Sequence, residues 1–150
     1  METFTSRKVL HPQRRTASST HNQAVLILDD DLAFTVWLSQ LIGEFGYQAL
    51  PGVSCLEASS CIERFHIKVD IVLVNTALVG VAKMLRRLGR TLGPFRIVLI
   101  KSPSIDISDI PAAHATIKKP YLGQKISRGK FVANIRKALL AAPAYICNGG

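Results

Sequence analysis

The chain alternates two hydrophobic patterns. Ala24-Val25-Leu26-Ile27-Leu28, Ile71-Val72-Leu73-Val74 after Asp70, and Ile97-Val98-Leu99-Ile100 after Arg96 are apolar at every position. Such runs suit strands buried on both faces. The segments between them have helical spacing. From Asp31, an N-cap side chain, to about Phe45, the residues Leu32, Val36, Leu38, Leu41 and Ile42 form an apolar stripe, and Gly46 is the stop. Residues 47–50 predict a short strand with Pro51-Gly52 as its turn. Ser54 caps a second predicted helix to about Phe65, with Leu56, Ala58, Ile62 and Phe65 inward. Residues 81–88 predict a basic amphipathic helix with Met84, Leu85 and Leu88 inward, ended by Gly89 and Gly93. Residues 113–117 predict a weaker strand, and 130–140 a last helix carrying Phe131, Val132, Ile135 and Leu139 on one face.

This order of strands and helices predicts a parallel sheet wrapped by helices on both sides. Ligands of such open sheets sit beyond the carboxyl ends of the strands. Asp29, Asp30, Asn75, Lys101 and Lys119 all fall at such ends.

A length of 150 residues, with 48% hydrophobic and 19% charged positions, provides one domain with a real core. The expected division is a flexible basic arm over 1–21, a globular domain over 22–141 and a tail over 142–150. No apolar run approaches the about 20 residues needed to cross a bilayer, and no secretory signal pattern is present. Cys55, Cys61 and Cys147 have neither disulfide-framework nor zinc spacing. A cytoplasmic location is therefore expected. His11, His21, His66 and His114 stand isolated, and Trp37 reads as core.

Charge sharpens the picture. The formal net charge is +9, but residues 22–80 carry two Lys or Arg against seven acids, and residues 81–150 carry thirteen against two. The two halves are thus oppositely charged, which favours recognition by charge complementarity. Lys83, Arg86, Arg87 and Arg90 make one basic helix face, a candidate surface for an acidic protein partner. There is no GxGxxG or GxxxxGK pattern for a nucleotide.

Three short motifs resemble those of response-regulator receiver domains of two-component signalling. Leu26-Ile27-Leu28-Asp29-Asp30-Asp31 resembles their first strand, which ends in paired acids. Asp70-Ile71-Val72-Leu73-Val74-Asn75-Thr76 resembles their phosphoacceptor strand, with Asn75 at the reactive aspartate's position. Ile117-Lys118-Lys119-Pro120 resembles their Lys-Pro motif. The resemblance covers about 23–141. It implies a flavodoxin-like, doubly wound, five-stranded parallel sheet of order 2-1-3-4-5, with an acidic pocket of Asp29 and Asp30 and pocket lysines Lys119 and Lys101. In that family the acids hold Mg²⁺ and the aspartate takes a phosphoryl group.

The departures define the functional expectation. Asn75 has a neutral amide, which is not a phosphoryl acceptor, and its presence removes one charge from a metal site. The family's hydroxyl position falls on Lys101, with Ser102 one residue later. Its aromatic switch position falls on Thr116. Pro103 and Pro111 predict a shortened or absent fourth helix. The expectation is a stand-alone pseudo-receiver without catalytic residues or a cofactor. Lys119, helped by Lys101, would serve as counter-charge to Asp29 and Asp30 in place of Mg²⁺. Its partner would be an acidic protein such as a histidine kinase or another regulator. Asp29 and Asp30 remain weak metal candidates. An active phosphoacceptor using one of the acids and a basic nucleic-acid-binding module remain the alternatives.

Overall fold

The computed structural model describes residues 23–101, 110, 115–119 and 128–145. The expected arm, and most of the segment where a fourth helix was expected to be stunted, lie outside these residues. Among the described residues, four helices and six strands follow in the order β1 (Ala24–Leu28), α1 (Leu32–Glu44), β2 (Gln48–Gly52), α2 (Cys55–Phe65), β3 (Ile71–Asn75), α3 (Val81–Leu92), β4 (Phe95–Lys101), β5 (Ala115–Lys118), α4 (Arg128–Ala141) and β6 (Ala144–Tyr145). The parallel sheet has the order β2-β1-β3-β4-β5, so the flavodoxin-like topology expected from the sequence is the one observed.

Alternation along the strands builds two cores. Val25, Ile27, Ile71, Leu73, Val98, Ile100 and Ile117 face α1 and α4. Leu26, Leu28, Val72, Val74, Ile97 and Leu99 face α2 and α3. The fully apolar runs are therefore explained: every position is buried, on one side or the other. Asp31 caps α1, its carboxylate accepting from the Phe34 N–H at 3.1 Å, and Ser54 caps α2 in the same way through the Glu57 N–H at 3.3 Å.

The structure corrects several local expectations. Leu32 and Val36 of α1 and Leu56 and Phe65 of α2 are exposed. Thr35 on α1, and Cys55 and Ser59 on α2, take buried positions instead. Gly89 does not end α3 but lies buried within it, and Gly93 is the C-cap. Pro51 and Gly52 are not a turn. They continue β2, where Pro51 pairs with Ile27 and Gly52 with Leu28. Proline is tolerated there because β2 is an edge strand. Glycine leaves room there, because a Cβ at position 52 would come within 2.9 Å of Leu28 Cδ2 and push that buried side chain aside.

Among the described residues, a sixth strand joins the five parallel ones off their path. The segment read as a tail supplies β6, which pairs antiparallel with β4 through Phe95–Tyr145 and Arg96–Ala144. The Phe95 and Tyr145 rings meet edge to face at 5.5 Å, a favourable arrangement for aromatic pairs.

Candidate functional site

Three side chains meet at the carboxyl ends of the central strands. Asp29 follows β1 in the register of Val25 and Ile27. Asn75 ends β3 in the register of Ile71 and Leu73. Lys119 follows β5 in the register of Ile117. All three share the face covered by α1 and α4.

Asp29 is fully buried, and its carboxylate is saturated with donors. Oδ1 accepts from the Asp31 N–H at 2.9 Å and from Lys119 Nζ at 3.0 Å. Oδ2 accepts from Asn75 Nδ2 at 3.0 Å and from Lys119 Nζ at 3.1 Å. A buried carboxylate is tolerable only when it is paired and hydrogen-bonded in this manner.

The orientation of the Asn75 amide is fixed at both ends. Its Oδ1 accepts from the Ala77 N–H at 2.8 Å, which leaves Nδ2 to donate to Asp29. An aspartate at position 75 would keep the first bond but set a second carboxylate oxygen against Asp29. The amide converts a repulsive contact into a hydrogen bond.

The Lys119 side chain is 15% exposed. Its ammonium also lies 3.6 Å from Asp31 Oδ2 and 4.7 Å above the centre of the Phe34 ring. Phe34 in turn packs with Trp37 and Phe131. One cation is thus held by two carboxylates and an aromatic face.

The expected residues did not all come together. Asp30 is exposed and is not Asp29's partner in the pocket; the second acid on Lys119 is Asp31. Lys101 has the register of Ile97 and Leu99, so alternation turns it toward the α2–α3 face, away from Asp29. Thr116 is exposed and borders a groove of ≈ 400 Å³ between β5 and α4. Sequence reasoning missed Asp31 as a pocket acid, because its N-cap role seemed to account for it.

The donors at this mouth do not fit Mg²⁺. A hard divalent cation wants several free oxygens in an octahedral set. Here an ammonium and an amide N–H already point at Asp29. Among the described residues, no cluster of three or more His, Cys, Asp or Glu side chains is placed to hold a metal.

The basic face of α3 also differs from expectation. Lys83, Arg86 and Arg90 are exposed, but Arg87 is committed to α2. Its Nε and Nη2 donate to the two Glu63 oxygens, each at 2.6 Å, and its Nη1 donates to Ser59 Oγ at 3.3 Å. The guanidinium beside Glu63 holds its carboxyl below the usual range. Nearby, burial pushes the Cys55 thiol up to about 11, so it is not a reactive thiolate.

With this geometry in place, similarity to known structures is informative. No protein-family model matches the chain, and no curated protein matches its sequence closely enough to count as a relative. Solved structures do match. A response regulator receiver domain (CheY-like) from Methylobacillus flagellatus aligns with TM-score 0.59 and 18% identity, over 79% of this chain and 96% of that one. The signal receiver domain of an HD domain-containing protein from Pseudomonas fluorescens Pf-5 aligns with TM-score 0.57 and 17% identity, over 79% and 95%. The signal receiver domain of a modulated diguanylate cyclase from Desulfovibrio desulfuricans G20 aligns with TM-score 0.53 and 22% identity, over 78% and 93%.

The chain has the receiver-domain fold. This fold places Asp29, Asn75 and Lys119 where strand ends converge, beyond the carboxyl ends of the strands, where open parallel sheets take their ligands. Among the described residues no helix is long and apolar enough to cross a membrane.

Proposed function

We propose that this chain is a receiver-like signalling module that works by protein–protein recognition and does not accept a phosphoryl group. One observation carries the reading. The phosphoacceptor position holds Asn75, and its amide, together with Lys119, satisfies the buried Asp29 from within the protein. An amide nitrogen is not a nucleophile toward phosphorus, because its lone pair is delocalised into the carbonyl. The nearest carboxylate, Asp29, has both oxygens occupied by donors. A pocket that is already neutralised has one resting state, which suits a surface that is always presented.

Signalling is inferred from the fold and from the three motifs that resemble receivers; the solved neighbours support the same reading. Recognition of a protein partner follows from the charge division between the chain's halves. The test is incubation with acetyl phosphate and Mg²⁺, read by intact mass. No phosphoryl adduct is expected. A stoichiometric adduct on Asp29, Asp30 or Asp31 would replace this reading with that of an active phosphoacceptor.

A further inference from the structure

We infer that the groove between α2 and α3 docks an acidic amphipathic helix from a partner protein. The inference rests on the reading of the chain as a recognition module and names the chemistry of what it recognises.

The groove has a volume of ≈ 150 Å³ and is walled by Leu56, Val79 and Met84, which is the scale of a cavity that holds a benzene-sized group. Two of its apolar walls stand in solvent: Val79 is 93% exposed and Leu56 is 70% exposed. Neither contributes to the core. Exposed aliphatic groups lining one cleft mark a place where an apolar side chain can be buried.

The charge beside the groove selects the partner. The twelve residues of α3 include four cations and no acid. With Arg87 held by Glu63, the exposed cations are Lys83, Arg86 and Arg90. Their i, i+3, i+7 spacing puts them on one stripe of the helix. Lys83 stands on the groove's wall, and Arg90 and Arg86 extend the positive crest away from it. A largely apolar slot with Lys83 on its wall and Arg86 and Arg90 beyond it complements a helix with an apolar stripe and flanking carboxylates.

Other occupants fit less well. The apolar residues of α3, Met84, Leu85 and Leu88, are buried in the core, so its outward face has nothing to insert into a lipid surface. No aromatic residue lies on α3 to stack against nucleic-acid bases. A second copy carries the same net charge of +9, which opposes self-association.

The experiment is an anisotropy titration of the full chain with a labelled synthetic helical peptide carrying Leu at i, i+4 and Glu around them. The same peptide with Lys for Glu is the first control. Phosphatidylcholine–phosphatidylserine vesicles and sedimentation of the protein alone are the others. Saturable binding of the acidic peptide is expected, weakened about tenfold or more by Val79→Asp and by Lys83→Glu/Arg86→Glu/Arg90→Glu. Both variants are surface changes and should melt as the parent does. Equal binding of the Lys peptide, or binding that survives Val79→Asp, overturns the inference. So does vesicle binding without peptide binding, or a dimer that Val79→Asp dissolves. No phosphodonor is present in the titration. Phosphoryl uptake with intact peptide binding would therefore remove only the idle-pocket reading, and lost peptide binding without uptake would remove only the groove.

Discussion

Among the described residues, two cations of the basic half, Arg87 and Lys119, pair with carboxylates of the acidic half, and their pairings with Glu63 and Asp29 are opposites. Glu63–Arg87 has the shorter contacts, a two-pronged match at 2.6 Å, with both side chains about one-third exposed. Asp29–Lys119 has longer contacts, 3.0 and 3.1 Å, but Asp29 is fully buried and Lys119 nearly so. Water competes for the first pair and screens it, so its net worth is small despite its geometry. The second pair has no water to fall back on, and losing one partner strands a charge. Burial, rather than contact length, decides which pair the fold depends on. The roles differ accordingly: the buried pair sets the state of the strand-end pocket, and the exposed pair ties α3 to α2 beside the groove.

Lys119→Met should break this contrast open and have the largest effect. It is expected to lower unfolding free energy by about 1–3 kcal/mol in urea titrations, because Asp29 keeps its Asn75 and Asp31 donors but loses its counter-charge. Asn75→Asp should come next, at about 1–2 kcal/mol, because it replaces a donated hydrogen bond by two facing carboxylates. The same variant without phosphorylation should recover little switching, since Thr116 lies outside the pocket and Lys101 takes the register of the opposite face.

Arg87→Met should have the smallest effect, and it should show in the acid limb. Glu63's carboxyl is held low in the folded state. Its pairing therefore contributes stability above the unfolded pKa, and that contribution is lost as pH falls through the lower folded pKa. In Arg87→Met the fall in Tm between about pH 5 and pH 3 should be shallower than in the parent. A loss at neutral pH as large as that of Lys119→Met would show that burial is not what separates the two pairs.

The architecture was legible because its central strands are buried on both faces and so appear as unbroken apolar runs at Ala24–Leu28 and in β3 and β4. The caps Asp31 and Ser54 were legible because their function is local. Features that depend on tertiary placement were not. Leu32, Val36, Leu56 and Phe65 fit a helical stripe but are left exposed by the packing of α1 and α2 on the sheet. Pro51-Gly52 has the composition of a turn, but an edge strand tolerates the proline and the glycine leaves room for the Leu28 side chain. Strand β6 is two residues long, too short for any period to show.

Within the site, Asp29, Asn75 and Lys119 are joined by hydrogen bonds. The choice between Asp30 and Asp31, and the facing of Lys101, turn on single-residue alternation at strand ends. Counting register from the buried residues of β4 contained the answer for Lys101: Ile97 and Leu99 belong to the α2–α3 core. Arg87 looked like one of four equivalent cations because nothing local distinguishes it. Glu63 lies 24 residues away, and only the packing of α3 on α2 joins them.

Whether Lys119 takes the place of a metal ion in the strand-end pocket is read by titrating Mg²⁺ to millimolar levels and following Tm in the parent and in Lys119→Met. A ligand stabilises only the state it binds. No shift is expected for the parent and a rise for Lys119→Met, where Asp29 and Asp31 have lost their cation. A rise in the parent, equal to or larger than that in Lys119→Met, would contradict that expectation and return the acids to service as a metal site.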